Sequence, residues 1–131
     1  MKNIKIITLK DGKFIEKNVK CTLDSIKNEA NGNIELVFSY KGIDIFAKED
    51  VENTYKLPSL LIVDSKNNLL DKIYGNIVFT RHNVKGDMIS LNNSQIKNIR
   101  DKVRVIIFYN KDINKLSKIH CLTIDTTYGI I

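Results

Sequence analysis

Two histidines, two cysteines and a concentration of basic residues are the side chains of this sequence that could do chemistry. Cys21, His82, His120 and Cys121 are of the types that bind zinc. There is no C-x-x-C pair, however, and His120 and Cys121 are neighbours that a strand points to opposite faces. A Cys–His nucleophile is disfavoured too, because a thiol in an apolar strand is usually inert. Glu49, Asp50 and Glu52 cluster, but in a stretch that reads as a solvated loop. A two-carboxylate or metal-assisted phosphodiesterase stays open as an alternative, since it needs only a pair that meets in space. No Gly-rich phosphate loop, G-x-S-x-G or H-E-x-x-H occurs, and the six glycines stand singly. The expectation is a protein without a metal, a cofactor or a catalytic residue.

Binding chemistry is better represented. Residues 1–65 carry ten lysines and ten acids, so the whole net charge of +6 belongs to residues 66–131. A concentrated positive field attracts phosphate-bearing partners. All three arginines fall within 81–104, and arginine forks onto phosphate or carboxylate. Lys97, Arg100 and Arg104 are expected on one helix stripe, with Arg81 and Lys85 arriving from the preceding strand and loop to converge on phosphates. Tyr109 and Tyr128, in the same half, are candidates to stack on a base.

The elements that must position these residues are well punctuated. Ile4–Leu9 reads as a strand, Asp11-Gly12 as a tight hairpin turn and Lys13–Val19 as the return. Thr22 caps a helix over 22–31, with Leu23, Ile26 and Ala30 on one face and Asn31-Gly32 ending it. Ile34, Leu36, Phe38 and Tyr40 alternate as one buried strand face, followed by a turn at Lys41-Gly42 and a strand at Ile43–Ala47. Leu60–Val63 and Asn76–Arg81 are further strands, and Leu69–Tyr74 is unassigned. Asn92 and Gln95 form a capping box for a helix over 93–103, with Leu91 stapled onto Ile96 and with Ile96, Ile99 and Val103 facing a sheet. Val105–Asn110 is a strand, 111–118 a basic connection and 119–126 a last strand. The fold class expected is α+β: a single domain over 1–131, mostly antiparallel sheet with two short helices.

Composition agrees with a globular chain, 43% hydrophobic and 27% charged. Ile (21), Lys (18) and Asn (15) are abundant, a bias that A/T-rich codons produce. The N-terminal apolar stretch is too short for a signal peptide and no run approaches a membrane span. The cytoplasm is the expected location, with Cys21 and Cys121 as buried thiols.

The segments GNIVFTR (75–81), GDMISLNNSQIKNI (86–99), LIVDSKNNLL (61–70) and NGNIELV (31–37) together resemble the domain-of-unknown-function family 3846. The resemblance runs over about 3–103 and leaves 104–131 as a β extension. It implies a gene of a phage or mobile element in a bacterial host cell, and it transfers no site residue.

The function expected is therefore a non-catalytic inhibitor of a bacterial antiviral defence system. Such a protein would occlude an effector, in the manner of an anti-CRISPR protein, or sequester a nucleotide signal. A DNA mimic is disfavoured by the positive charge. The alternative is a general nucleic-acid-binding accessory protein of the element, whose affinity falls steeply with salt. A homodimer through the strands at 105–109 and 119–124 is also expected.

Overall fold

Asp11 and Gly12 both have positive φ, 51° and 75°, the twist that joins two antiparallel strands through two residues. They connect β1 (Asn3–Lys10) to β2 (Lys13–Lys20), paired without a break from Asn3–Lys20 to Lys10–Lys13. Lys41 and Gly42, at φ 50° and 78°, do the same for β3 (Ile34–Tyr40) and β4 (Ile43–Lys48). The further strands are β5 (Leu60–Val63), β6 (Leu69–Ile73), β7 (Ile77–His82), β8 (Met88–Ile89), β9 (Val103–Asn110) and β10 (Lys115–Thr123). The helices are α1 (Leu23–Ala30) and α2 (Asn93–Lys102). This computed structural model describes residues 2–51 and 57–125.

The strands form two sheets in one α+β domain. The larger has the order β2-β1-β7-β4-β3, with β8 beside β7; the smaller has the order β6-β5-β10-β9. All neighbours are antiparallel except β5 and β10, which run parallel. β1 and β7 lie in the middle of the larger sheet and are apolar on both faces, as strands covered from two sides must be. On one face, Ile4, Ile6 and Val78 meet Ile26 and Ala30 of α1. On the other, Ile7, Leu9, Ile45, Ile77 and Phe79 meet Ile96 and Ile99 of α2 and Leu60, Ile62 and Leu122 of the smaller sheet.

Several expectations are corrected. In α1 only Ile26 and Ala30 are buried, while Leu23 is 58% exposed, because the first turn overhangs the sheet. Asn31, not the glycine, adopts the left-handed conformation first (φ 64°, ψ 39°) and sends its N–H to the Asn28 and Lys27 carbonyls. The alternation in β3 does not bury one face: a bulge between Leu36 and Phe38 leaves Leu36 54% exposed. Ile34 then packs on the α1 side and Phe38 and Tyr40 on the other, since one extra residue reverses every side chain beyond it. Leu69–Ile73, left unassigned above, is β6. The basic connection shrinks to 111–114, because Lys115–Lys118 already belong to β10. Residues 119–123 are not an edge: β10 lies between β5 and β9.

The second helix has its capping box. The N–H of Gln95 donates to Asn92 Oδ1 (2.8 Å) and the N–H of Asn92 to Gln95 Oε1 (3.1 Å). Leu91 and Ile96 are buried in the same cluster. The helix ends at Lys102, one residue before the expected limit, because Val103 is already extended (φ −91°, ψ 132°) and opens β9. Replacing Asn92 by alanine removes the side-chain acceptor and is expected to cost about 1 kcal/mol, read as a lower urea midpoint at unchanged slope. An Asn92→Ser variant keeps most of that stability.

Candidate functional site

The five basic candidates do not gather into one patch of free side chains. Arg81 is in β7 beside Ile43 and Ile89. Lys85 is exposed in the following turn, where Asn83 Oδ1 accepts from the N–H groups of Lys85 and Asp87. Lys97 pairs with Asp101 at 3.4 Å on α2. Arg100 pairs with Glu16 of β2 at 2.6 Å. Arg104 is not on the helix stripe. It belongs to β9 and donates to Asn67 Oδ1 at 2.8 Å, tying that strand to the turn between β5 and β6. Tyr109 lies on β9, its hydroxyl bonded to Asn114 Oδ1, and Tyr128 lies outside the described residues.

A different set of residues does come together. Where the turn between β1 and β2 meets the open end of the smaller sheet there is a cleft of about 340 Å³. It is lined by Leu9, Asp11, Gly12, Ser59, Gly75, Asn76, Lys118 and His120. Register explains the meeting. In β10, Lys118, His120 and Leu122 share one face, and Leu122 is part of the core between the sheets. That alignment turns Lys118 and His120 toward the larger sheet, nearer its open end.

His120 is only 8% exposed, its ring edge-on to Phe14 with centroids 5.1 Å apart. Among the described residues its ring nitrogens have no hydrogen-bond partner. Lys118 forms no ion pair there and lies over the turn, its Cε 3.5 Å from where a Cβ on Gly12 would be. Ser59 Oγ donates to the Gly75 carbonyl at 2.6 Å, which fixes the floor. The arrangement offers a cation, an imidazole, a carboxylate and an amide to one small polar molecule.

Burial, and secondarily the charge of Lys118, holds the pKa of His120 below its ordinary value. The charged groups facing it are Lys118 on its own strand and Asp11 on the hairpin turn. The unfolded chain takes up a proton near pH 6.5 that the folded chain accepts only at lower pH. His120 therefore carries no penalty above that value, and stability is lost as pH falls from it to the folded pKa. Urea denaturation at pH 7.5 and 5.5 should show a larger loss for the native protein than for His120→Gln.

Another histidine is held differently. Asp44 Oδ2 lies 2.7 Å from His82 Nδ1, and Asp44 Oδ1 accepts the Ser39 hydroxyl at 2.7 Å. His82 is half-buried, and the trio ties β3, β4 and β7 together. Cys21 is half-buried and donates to the Met88 carbonyl, and Cys121 is buried; both are free thiols. No group of three or more His, Cys, Asp or Glu positioned for a metal occurs among the described residues. No helix among them is long and apolar enough to cross a membrane.

Sequence reasoning missed the cleft because its walls come from positions 9–12, 59, 75–76 and 118–120. The Asp11-Gly12 turn and the His120 neighbourhood were each legible, but what joins them is the packing of the smaller sheet on the larger, with the parallel pairing of β5 and β10 bringing Ser59 near His120. Comparison with known proteins finds a family model, Domain of unknown function (DUF3846), that matches residues 4–104. No curated protein and no solved structure matches the chain.

Proposed function

The chain belongs to the DUF3846 family, and from that premise we propose that it is a non-catalytic protein that sequesters a small phosphate-bearing ligand of nucleotide type in the cleft between its sheets. The observation that carries this reading is Lys118 beside His120, whose ring nitrogens have no hydrogen-bond partner among the described residues and reach solvent, both lining the same cleft. The cleft volume lies within the range of small-molecule sites, roughly 300–1,000 Å³. Lys118 supplies the charge and His120 a donor to a phosphate oxygen. Asn76 suits a base edge, and the carboxylate of Asp11 suits a sugar hydroxyl, which a bare phosphate would not offer. In the phage or mobile-element setting that the resemblance implies, holding such a molecule would withdraw a nucleotide signal from a bacterial defence system. The host cytoplasm would be the place of action.

Calorimetric titration with a nucleoside monophosphate, its neutral nucleoside and inorganic pyrophosphate tests the reading. The monophosphate is expected to bind one per chain, at least tenfold tighter than the nucleoside, and to be recovered intact. Equal affinity for nucleoside and nucleotide, or no binding, would overturn it, and hydrolysis of a cyclic dinucleotide, which carries the diester that a monophosphate lacks, would replace it with the phosphodiesterase. A short DNA that binds instead, with an affinity falling steeply from 50 to 200 mM salt, would favour the accessory-protein alternative and return attention to Arg81, Lys85 and Lys97.

A further inference from the structure

Each sheet has two edges, and three of the four carry features that block pairing with another chain. β2 bears Lys13, Glu16, Lys17 and Lys20. β3 has Glu35 and the bulge near Val37. β6 is five residues long and holds Asp71 and Lys72. β9 is different. It runs eight residues, VRVIIFYN, with one charge, Arg104, near its start and with no proline and no shift in its register with β10. Among the described residues nothing pairs with its outer edge. Ile107 is 66% exposed, and Val105, Ile106 and Tyr109 are exposed as well.

We propose that β9 pairs with β9 of a second copy, antiparallel about a two-fold axis through Ile107. A two-fold axis normal to the sheet keeps paired residues on one face only when each side chain meets one of the same parity. Centred on Ile107, the register sets Ile107 against its own copy, Val105 against Tyr109 and Ile106 against Phe108. Arg104 then meets Asn110. Every pair from 105 to 109 is apolar and no like charges face each other, which a chain of net charge +6 does not offer at random. That self-complementarity singles out a second copy over a different protein, whose edge would have to match the same run. The two smaller sheets become one of eight strands, β6-β5-β10-β9 and its mirror order.

The register also fixes which side chains the two copies present together. Cross-strand partners place Val105 by His120, Ile107 by Lys118 and Tyr109 by Leu116, so all six side chains are on one face of the hairpin. Leu116 is 72% exposed on that face. Both copies present it on the same side of the joined sheet, giving a shared apolar strip.

The test is sedimentation of the full chain from 1 to 100 μM, together with a cross-link. The native protein is expected near twice its 15.0 kDa mass. Ile107→Glu faces Lys118 within its own chain but its own copy across the axis, so it should stay folded by circular dichroism and dimerise at least tenfold more weakly. In a Cys21→Ser background, Ile107→Cys is expected to form an interchain disulfide on mild oxidation, since directly opposed residues lie within disulfide reach, about 4.4–6.8 Å; Ile113→Cys, in the adjoining turn, should not. A monomer at 100 μM would overturn the proposal. So would a dimer that Ile107→Glu leaves intact, or one in which Ile107→Cys cross-links no better than Ile113→Cys.

Discussion

Replacing Phe79 by alanine is expected to destabilise the protein by about 3–5 kcal/mol, the largest loss for any single truncation. Phe79 is fully buried in the middle of β7, with Ile7 and Ile45 as its Cα partners on either side. Its ring belongs to the cluster that α2 and the smaller sheet cover. It also touches Phe14, with ring centroids 5.8 Å apart, and Phe14 in turn holds the edge of His120. Truncation removes the transfer free energy of a benzyl group and leaves a cavity between rigid strands that cannot close around it. Domains of this size have about 5–15 kcal/mol in total, so the urea midpoint should drop by about a fifth or more. Phe79→Leu keeps most of the volume and should recover over half of the loss. A cost below about 1.5 kcal/mol would mean that the two sheets repack freely, contrary to the close packing expected of such a core.

With Lys118→Glu, binding of a nucleoside monophosphate should fall about a hundredfold, or about 2.7 kcal/mol. Two effects add: the attraction is lost, and a second carboxylate besides Asp11 now lines the cleft and repels the phosphate. The side chain is exposed, so the melting temperature should stay within a few degrees, which separates loss of binding from loss of fold. Lys111→Glu, in the nearby turn, removes the same net charge but lies outside the cleft lining, and is expected to change affinity less than threefold. Equal losses in the two variants would point to a diffuse field instead of a site.

Local chemistry was legible wherever it is decided within a few residues. The Asp11-Gly12 and Lys41-Gly42 turns, the Thr22 cap and the Asn92–Gln95 box all form as their residue types require. The bulge in β3 was not legible, because alternation of Ile34, Leu36, Phe38 and Tyr40 continues in sequence past the point where it breaks in space. The end of α2 was misjudged by one residue, with a consequence out of proportion: Arg104 moved from a presumed phosphate stripe to a strand. The segment at 115–118 reads as a linker by charge, since Lys115 and Lys118 mask the start of a strand whose side chains there are mostly exposed. The candidate cleft depends on pairing between residues about sixty apart, and no local pattern encodes which distant strand lies next to which.

The parallel pairing of β5 with β10 has a consequence for the order in which the molecule is made. His120–Leu122 fill the space between Leu60–Ile62 on one side and Val103–Val105 on the other. A ribosome releases β5 long before β10, and the strand that must separate β5 from β9 arrives after both. The larger sheet, whose strands end at His82 and Ile89, can assemble early, while the smaller one waits with two apolar strands uncovered. Closing so long a loop is slow, which makes this interval the one in which a nascent chain is most in need of a chaperone. The family model's match ends at residue 104, before the strand that ends the wait.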